Sequence, residues 1–237
     1  MKLVIIFSLL FSVLSSELSS QARAFRDFVV AASSNTNPEL LASGFQAFGG
    51  SERFVGDEWI QGGIISTKGE FISDKYKFNY DFNTNEVYVK HDEDQQTVVL
   101  QNNTIRNFFL IDPKTRDSIK FIKFIAIDPR NKQFYQLLAG DMYGKAALLK
   151  FKTVEIVKAN KNSYANNFNG TYKDTYTPHI DYYLVTKEKG AIKLDKLIRK
   201  SFTDEFPELR EQANAVVKKP NLNESQAIVL TNFLNLN

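Results

Sequence analysis

Cysteine is absent from all 237 residues of the chain. That excludes disulfides, thiol catalysis and cysteine metal sites. It also excludes the lipid anchor that an exported bacterial protein carries on a cysteine just after its signal. Histidine is nearly absent, with only His91 and His179, so the usual general bases are scarce. No Gly-x-Ser-x-Gly elbow, P-loop or His-Glu-x-x-His appears. There is no basic block, RNP-like run or zinc-finger spacing, and the net charge of +3 is spread along the chain. A nucleic-acid partner is therefore not expected. No cofactor is expected, and no residue stands out as catalytic or as a metal ligand.

The opening residues carry a clear pattern. Lys2 precedes an apolar run from Leu3 to Leu14, interrupted only by Ser8 and Ser12, and small or polar residues follow to Ala24. This is the layout of a secretory signal peptide, with a cut after Ala22 or Ala24. Twelve residues fall short of the roughly 20 that a membrane-spanning helix needs. No later stretch is long and apolar enough either. The expectation is an exported protein, periplasmic or at the cell surface, with no transmembrane segment once the signal is cut. An exported chain of this size without disulfides fits a bacterial envelope. Asn102-Asn103-Thr104, Asn169-Gly170-Thr171 and Asn223-Glu224-Ser225 match the glycosylation pattern, which carries no meaning in that setting.

The organisation reads as residues 1–22 signal, 23–53 a helical or loop segment, 54–193 an antiparallel β domain, and 194–237 helices packed on it. Short helices are expected at Phe25–Ala32 and Pro38–Phe48. Aromatics make up 13% of the chain, which favours strands. Lys75 to Phe82 alternates strictly, with Tyr76, Phe78, Tyr80 and Phe82 on one face and Lys75, Lys77, Asn79 and Asp81 on the other. That is the period of a strand with one buried face and one wet face. Strands follow at Glu86–Lys90, Thr97–Leu100, Ile105–Ile111, Ser118–Ile127, Gln133–Ala139 and Lys145–Val157, punctuated by Asp-Pro and Gly-Asp turns. No helices of 10–15 residues separate them, which argues against a βαβ fold. Lys158 to Pro178 reads as a polar loop, and Ile180–Thr186 with Ala191–Leu194 as a last hairpin. Leu194, Leu197 and Ile198 then share a helical face. Thr203 is placed to cap a helix carrying Phe206, Leu209, Ala213 and Val216, and Asn223 to cap a final helix from Glu224 to Leu234. The fold class is α+β: an antiparallel β-meander, either an open barrel or a sandwich, with a C-terminal helical tail.

Tyr172-Lys173-Asp174-Thr175-Tyr176-Thr177-Pro178, Asp181-Tyr182-Tyr183-Leu184, Ile192-Lys193-Leu194-Asp195-Lys196-Leu197 and Phe202-Thr203-Asp204-Glu205-Phe206-Pro207 occur in that order. This region resembles a group of uncharacterised exported proteins of Gram-negative bacteria, in which a Tyr-rich strand pair precedes a Lys-rich helix. The resemblance implies an envelope location and no particular activity. The strand rhythm of the body, from Gly69-Glu70-Phe71-Ile72 through Glu86-Val87-Tyr88-Val89, is similar to that of periplasmic lipoprotein carriers. Those are open barrels around an apolar cavity.

Three readings of function follow. The first is a non-enzymatic module that binds a protein in the cell envelope through Tyr172, Tyr176, Tyr182 and Tyr183, since tyrosine supplies rigid contact area with a polar tip. The second is a carrier holding a lipid or other apolar ligand against Trp59, Tyr76, Phe78, Tyr80 and Phe82. The same aromatic row also reads as plain core. The third is a carboxylate-based hydrolase, open because 27 acidic residues are present, though nothing pairs two of them. Asp81 to Asp92 spaces oxygen ligands as a calcium loop does, but Glu86 stands where the loop needs glycine, so a hairpin turn is the better reading. The basic run from Lys187 to Lys200 reads as a solvated face, or as a contact for acidic lipid headgroups or a polyanionic partner.

Overall fold

A computed structural model describes residues 33–34, 50–73, 75–92, 97–158 and 174–237. The expected signal peptide and the helices at 25–32 and 38–48 lie outside these residues.

Strand formation follows the alternation in the sequence. β1 (Ser33–Ser34) and a one-turn helix α1 (Gly50–Arg53) precede β2 (Gly62–Ser66), β3 (Phe71–Ile72), β4 (Tyr76–Asp81), β5 (Glu86–His91) and β6 (Thr97–Leu100). After a 3-10 turn come β7 (Ile105–Ile111), β8 (Ser118–Ile122), β9 (Tyr135–Gly140), β10 (Ala146–Val157), β11 (Thr175–Thr186) and β12 (Gly190–Leu194). The tail holds α2 (Arg199–Thr203), α3 (Arg210–Val216) and α4 (Glu224–Leu236). All strand pairs are antiparallel.

The strands divide into two sheets. Eight lie in the order β12-β11-β10-β9-β8-β7-β2-β3, and β4-β5-β6 form a separate meander that β1 extends at its β6 edge. The chain thus leaves the large sheet after β3, builds the small one, and returns at β7 to pair with β2. The large sheet does not close into a barrel. Its inner face is covered twice. Over β2, β7 and β8 sits the small sheet, with Phe78, Tyr80, Phe82, Val87, Val89 and Leu100 packed against Ile64, Phe108, Leu110 and Phe121. Over β9–β12 sit the helices, with Phe202, Ala213, Ala227, Leu230 and Leu234 packed against Leu148, Leu184 and Leu194. The fold class is α+β, as the pattern predicts.

Helix α4 starts where the sequence says it should. The Asn223 side chain accepts from Gln226 N at 2.9 Å, and the Gln226 side chain accepts from Asn223 N at 3.1 Å, a complete capping box. Its far end is tied to the β9–β10 turn, where Asn232 Oδ1 accepts from Gly140 N and Asn235 Oδ1 from Lys145 N. Gly140 has φ +75°, and a Cβ there would lie 2.1 Å from the Ala146 carbonyl oxygen, so only glycine fits.

Four expectations need correction. The face of β4 opposite the aromatics is wet only at its start: Lys75 is exposed and Lys77 partly so, but Asn79 and Asp81 are both 0% exposed. Residues 53–60 fold back over it, Asn79 Nδ2 donates to the Gly56 and Glu58 carbonyls, and Asp81 takes Arg53. Polar side chains can be buried once partners satisfy them. β8 ends at Ile122 rather than Ile127, because Phe124–Ile127 turns back toward the sheet. β11 begins at Thr175, so the expected loop to Pro178 is in part strand. Pro178 pairs with Val154 on a stretch where β12, which reaches only Tyr182, is absent; proline without its N–H is tolerated at such an edge. Finally, Leu194 closes β12 and helix begins only at Arg199. Thr203 ends α2 with its hydroxyl donating to Lys200 O and caps nothing, and Pro207 opens a 3-10 turn ahead of α3.

Candidate interaction surfaces

The aromatic row of β4 lies in the core. Phe78, Tyr80 and Phe82 are all buried. The Tyr80 ring meets Phe108 at 5.3 Å, Phe121 at 5.1 Å and Phe134 at 6.1 Å, and Phe108 stacks on Phe121 at 4.6 Å. Burial raises the Tyr80 hydroxyl far above its ordinary range, and it donates to Asn85 Oδ1. Tyr76 packs half-buried at the rim of this cluster. Trp59 is on the opposite face of the small sheet, against Phe54, Tyr88 and Val99, with Lys90 Nζ 5.8 Å from its ring centre. The five residues therefore do not form one surface. Asp81 to Glu86 is a hairpin turn, with Asn85 at φ 58°.

The tyrosines separate too. Tyr172 lies outside the described residues. Tyr176 is half-buried against the core below the small sheet. Tyr182 shares that side of the large sheet, where its hydroxyl donates to Glu224 Oε2 at 2.7 Å, the same atom that Lys150 Nζ reaches at 2.7 Å. This arrangement ties the first turn of α4 to β10 and β11. Tyr183 points to the outer face, edge-on to Tyr135 at 5.8 Å. Strand alternation forces that split: adjacent residues cannot share a face.

The outer face of the large sheet has two parts. Over β9–β11 the β8–β9 connection folds down, so that Phe124 and Ile127 cover Tyr135, Leu149 and Val185. Asp128 shapes this connection. Burial acts to raise its carboxyl, but three backbone donors, from Gln133 at 2.9 Å, Lys132 at 2.6 Å and Arg130 at 3.2 Å, outweigh burial and hold it below the usual range. A lowered carboxyl stabilises the fold in full above its unfolded value of about 4, and the contribution is lost as pH falls through the lower folded value. Urea denaturation at pH 7 and pH 3 should therefore show a larger acid penalty for the native chain than for Asp128→Asn. An equal penalty would remove Asp128 from the acid response. Beside it, burial pushes the Lys123 ammonium down to about 8 against the pull of Asp128. Lys123 Nζ sits 4.8 Å from the Phe134 ring centre and donates to the Asn102 carbonyl. The Asn102 amide is itself engaged, donating to Asn85 O at 2.5 Å.

Toward β2 and β3 the outer face is open. Phe71 is 62% exposed and lies parallel to Phe109, with 6.2 Å between ring centres and 11° between planes. Both rings rest over Gly63, where a Cβ would come within 2.8 Å of Phe109 and 2.9 Å of Phe71. Gly62 has a different reason: its Cβ would meet the Phe109 carbonyl oxygen at 2.3 Å. The paired glycines thus mark close approach of neighbouring groups. The half-exposed Ile65 and Ile111 lie on the same face as the ring pair.

Among the described residues, no group of three or more His, Asp and Glu is placed to hold a metal ion. No described helix is long and apolar enough to cross a membrane. Comparison with protein-family models, with curated proteins and with solved structures finds no match to the chain.

Proposed function

We propose that the protein is an exported, non-enzymatic binding module that holds a protein partner of the cell envelope against the open part of its outer sheet face. The observation that carries this reading is the Phe71–Phe109 pair. Two parallel rings close over a glycine of the sheet that leaves them room, with one ring largely in solvent. Large exposed aromatics on a rigid element supply binding area at low entropic cost. The export half of the reading rests on Lys2, the Leu3–Leu14 run and the small residues at Ala22 and Ala24. The carrier reading loses support because the rings of its aromatic row touch other rings rather than open space.

The Tyr-rich stretch serves less well as the contact. Tyr176 and Tyr182 support the fold, and the outer edge of β11 from Thr175 to Asp181 is interrupted by Pro178. A proline in an edge strand blunts strand-to-strand association.

Phe71→Ser should leave folding stability within about 1 kcal/mol of the native value, as expected for a mostly exposed side chain. It should also remove the partner captured from an envelope extract by the native chain. Capture at native level by Phe71→Ser, with the fold checked by circular dichroism, would sink the proposal.

A further inference from the structure

A cleft lies in the helical tail, well away in sequence from the Phe71–Phe109 face. Leu197–Arg199 and Pro220–Leu222 run side by side, joined by Arg199 N to Pro220 O at 2.8 Å and Leu222 N to Leu197 O at 2.8 Å. This clasp brings the start of α2 against the chain that follows α3. Between them opens a cleft of about 380 Å³, lined by Arg199, Lys200, Thr203, Asp204, Arg210 and Asn214, with Ile198, Pro220 and Asn221 completing it. The volume lies in the range of about 300–1,000 Å³ typical of small-molecule sites.

The lining is charged in one sense. Three cations face one carboxylate, and that carboxylate is already used, since Arg210 Nη2 reaches Asp204 Oδ1 at 2.9 Å. The ion pair orients Arg210 and leaves its other N–H groups for a ligand. Arg199 is held differently. Its Nη1 donates to the Val217 carbonyl at 2.8 Å and the Lys218 carbonyl at 2.7 Å, at the C-terminal end of α3. Those two bonds fix the guanidinium without neutralising it, so its remaining donors are pre-oriented. The lining adds the amides of Asn214 and Asn221, which suit hydroxyl groups, and the apolar groups of Ile198 and Pro220.

We propose that this cleft binds a phosphate monoester carried on a small polar molecule. A dianion matches the excess of positive charge, and planar guanidinium forks match phosphate oxygens in pairs. The cleft is larger than a bare phosphate needs, and the two amides are placed for the hydroxyls of a sugar- or glycerol-like group. The residues come from three separate stretches of sequence, so no local motif announces the site.

The test is an NMR titration of the full chain with glycerol 3-phosphate, glucose 6-phosphate and inorganic phosphate, alongside sedimentation with vesicles containing phosphatidic acid. The expected result is saturable shifts at Ile198–Thr203, Arg210–Asn214 and Asn221, tighter for at least one ester than for inorganic phosphate. Binding should weaken at least tenfold in Lys200→Ala combined with Arg210→Gln. Both side chains are exposed, so the variant should keep the native circular dichroism spectrum. A soluble ester that binds identifies a free metabolite, whereas binding to vesicles alone identifies a lipid headgroup of the same chemistry. Lack of saturable shifts and of vesicle binding, or equal binding by the double variant, overturns the proposal. Because Phe71 lies in another part of the fold, failure here leaves the partner-binding face to be judged by its own variant.

Discussion

Replacing Asp81 with alanine is expected to cost about 3–5 kcal/mol, the usual loss when one partner of a buried ion pair is removed. Arg53 grips Asp81 with three contacts, Nε at 3.0 and 2.9 Å and Nη2 at 2.6 Å, and both side chains are nearly inaccessible to water. Asp81 Oδ1 also accepts from Asn83 N at 2.8 Å and so sets the β4–β5 turn. The substitution strands a guanidinium that cannot give up its proton, next to the Phe54 ring at 5.0 Å. Arg53→Ala strands a carboxylate instead, but one that still accepts from Asn83 N. Asp81→Ala should therefore be the more damaging of the two. The double replacement, Arg53→Met with Asp81→Leu, should cost less than the sum of the singles, since an apolar pair needs no partners. Urea denaturation of the four proteins measures this directly. Additive losses would mean that the pair does not act as a unit.

Phe108→Ala is the second large effect. Phe108 stacks on Phe121, stands edge-on to Phe134 at 4.9 Å and meets Tyr80, so its ring joins the two sheets. Truncation removes the transfer term and leaves a cavity among rigid rings that cannot collapse into it, about 3–5 kcal/mol in comparable cores. Either substitution removes a large share of a typical domain stability of roughly 5–15 kcal/mol. The neighbouring Phe109 faces outward and is half-exposed, so Phe109→Ala should cost clearly less. A thermal melt of the two variants separates them. Equal losses would contradict the assignment of the two faces.

Much of the strand layout was legible because it depends on nearest neighbours. The strand that starts at Tyr76, the turn through Asn83, Thr84 and Asn85 and the helix cap at Asn223 all act within a few residues, and all are found as expected. The candidate site was less legible. The row of Tyr76, Phe78, Tyr80 and Phe82 looks the same in sequence whether it faces a cavity or a second sheet. Only the arrival of Phe108, Phe121 and Phe134 decides that it is filled. Phe71 and Phe109 carry no special mark either. Their one local signal is Gly62-Gly63, whose use depends on which strand lies beside it.

By itself, the sequence determined an antiparallel, disulfide-free α+β chain with its turns and most of its strand limits in place. These follow from period-2 hydrophobicity, from turn residues and from the missing cysteine, all of which act locally. Tertiary structure alone decided that β4–β6 leave the large sheet and that β2 pairs with β7. It also decided that Asn79 and Asp81 are buried, and that Arg199, Lys200 and Arg210 share a cleft. Each of these depends on contacts between segments distant in the chain. Their closure is set by how two sheets and a helical tail bury apolar surface together, and no local pattern encodes it.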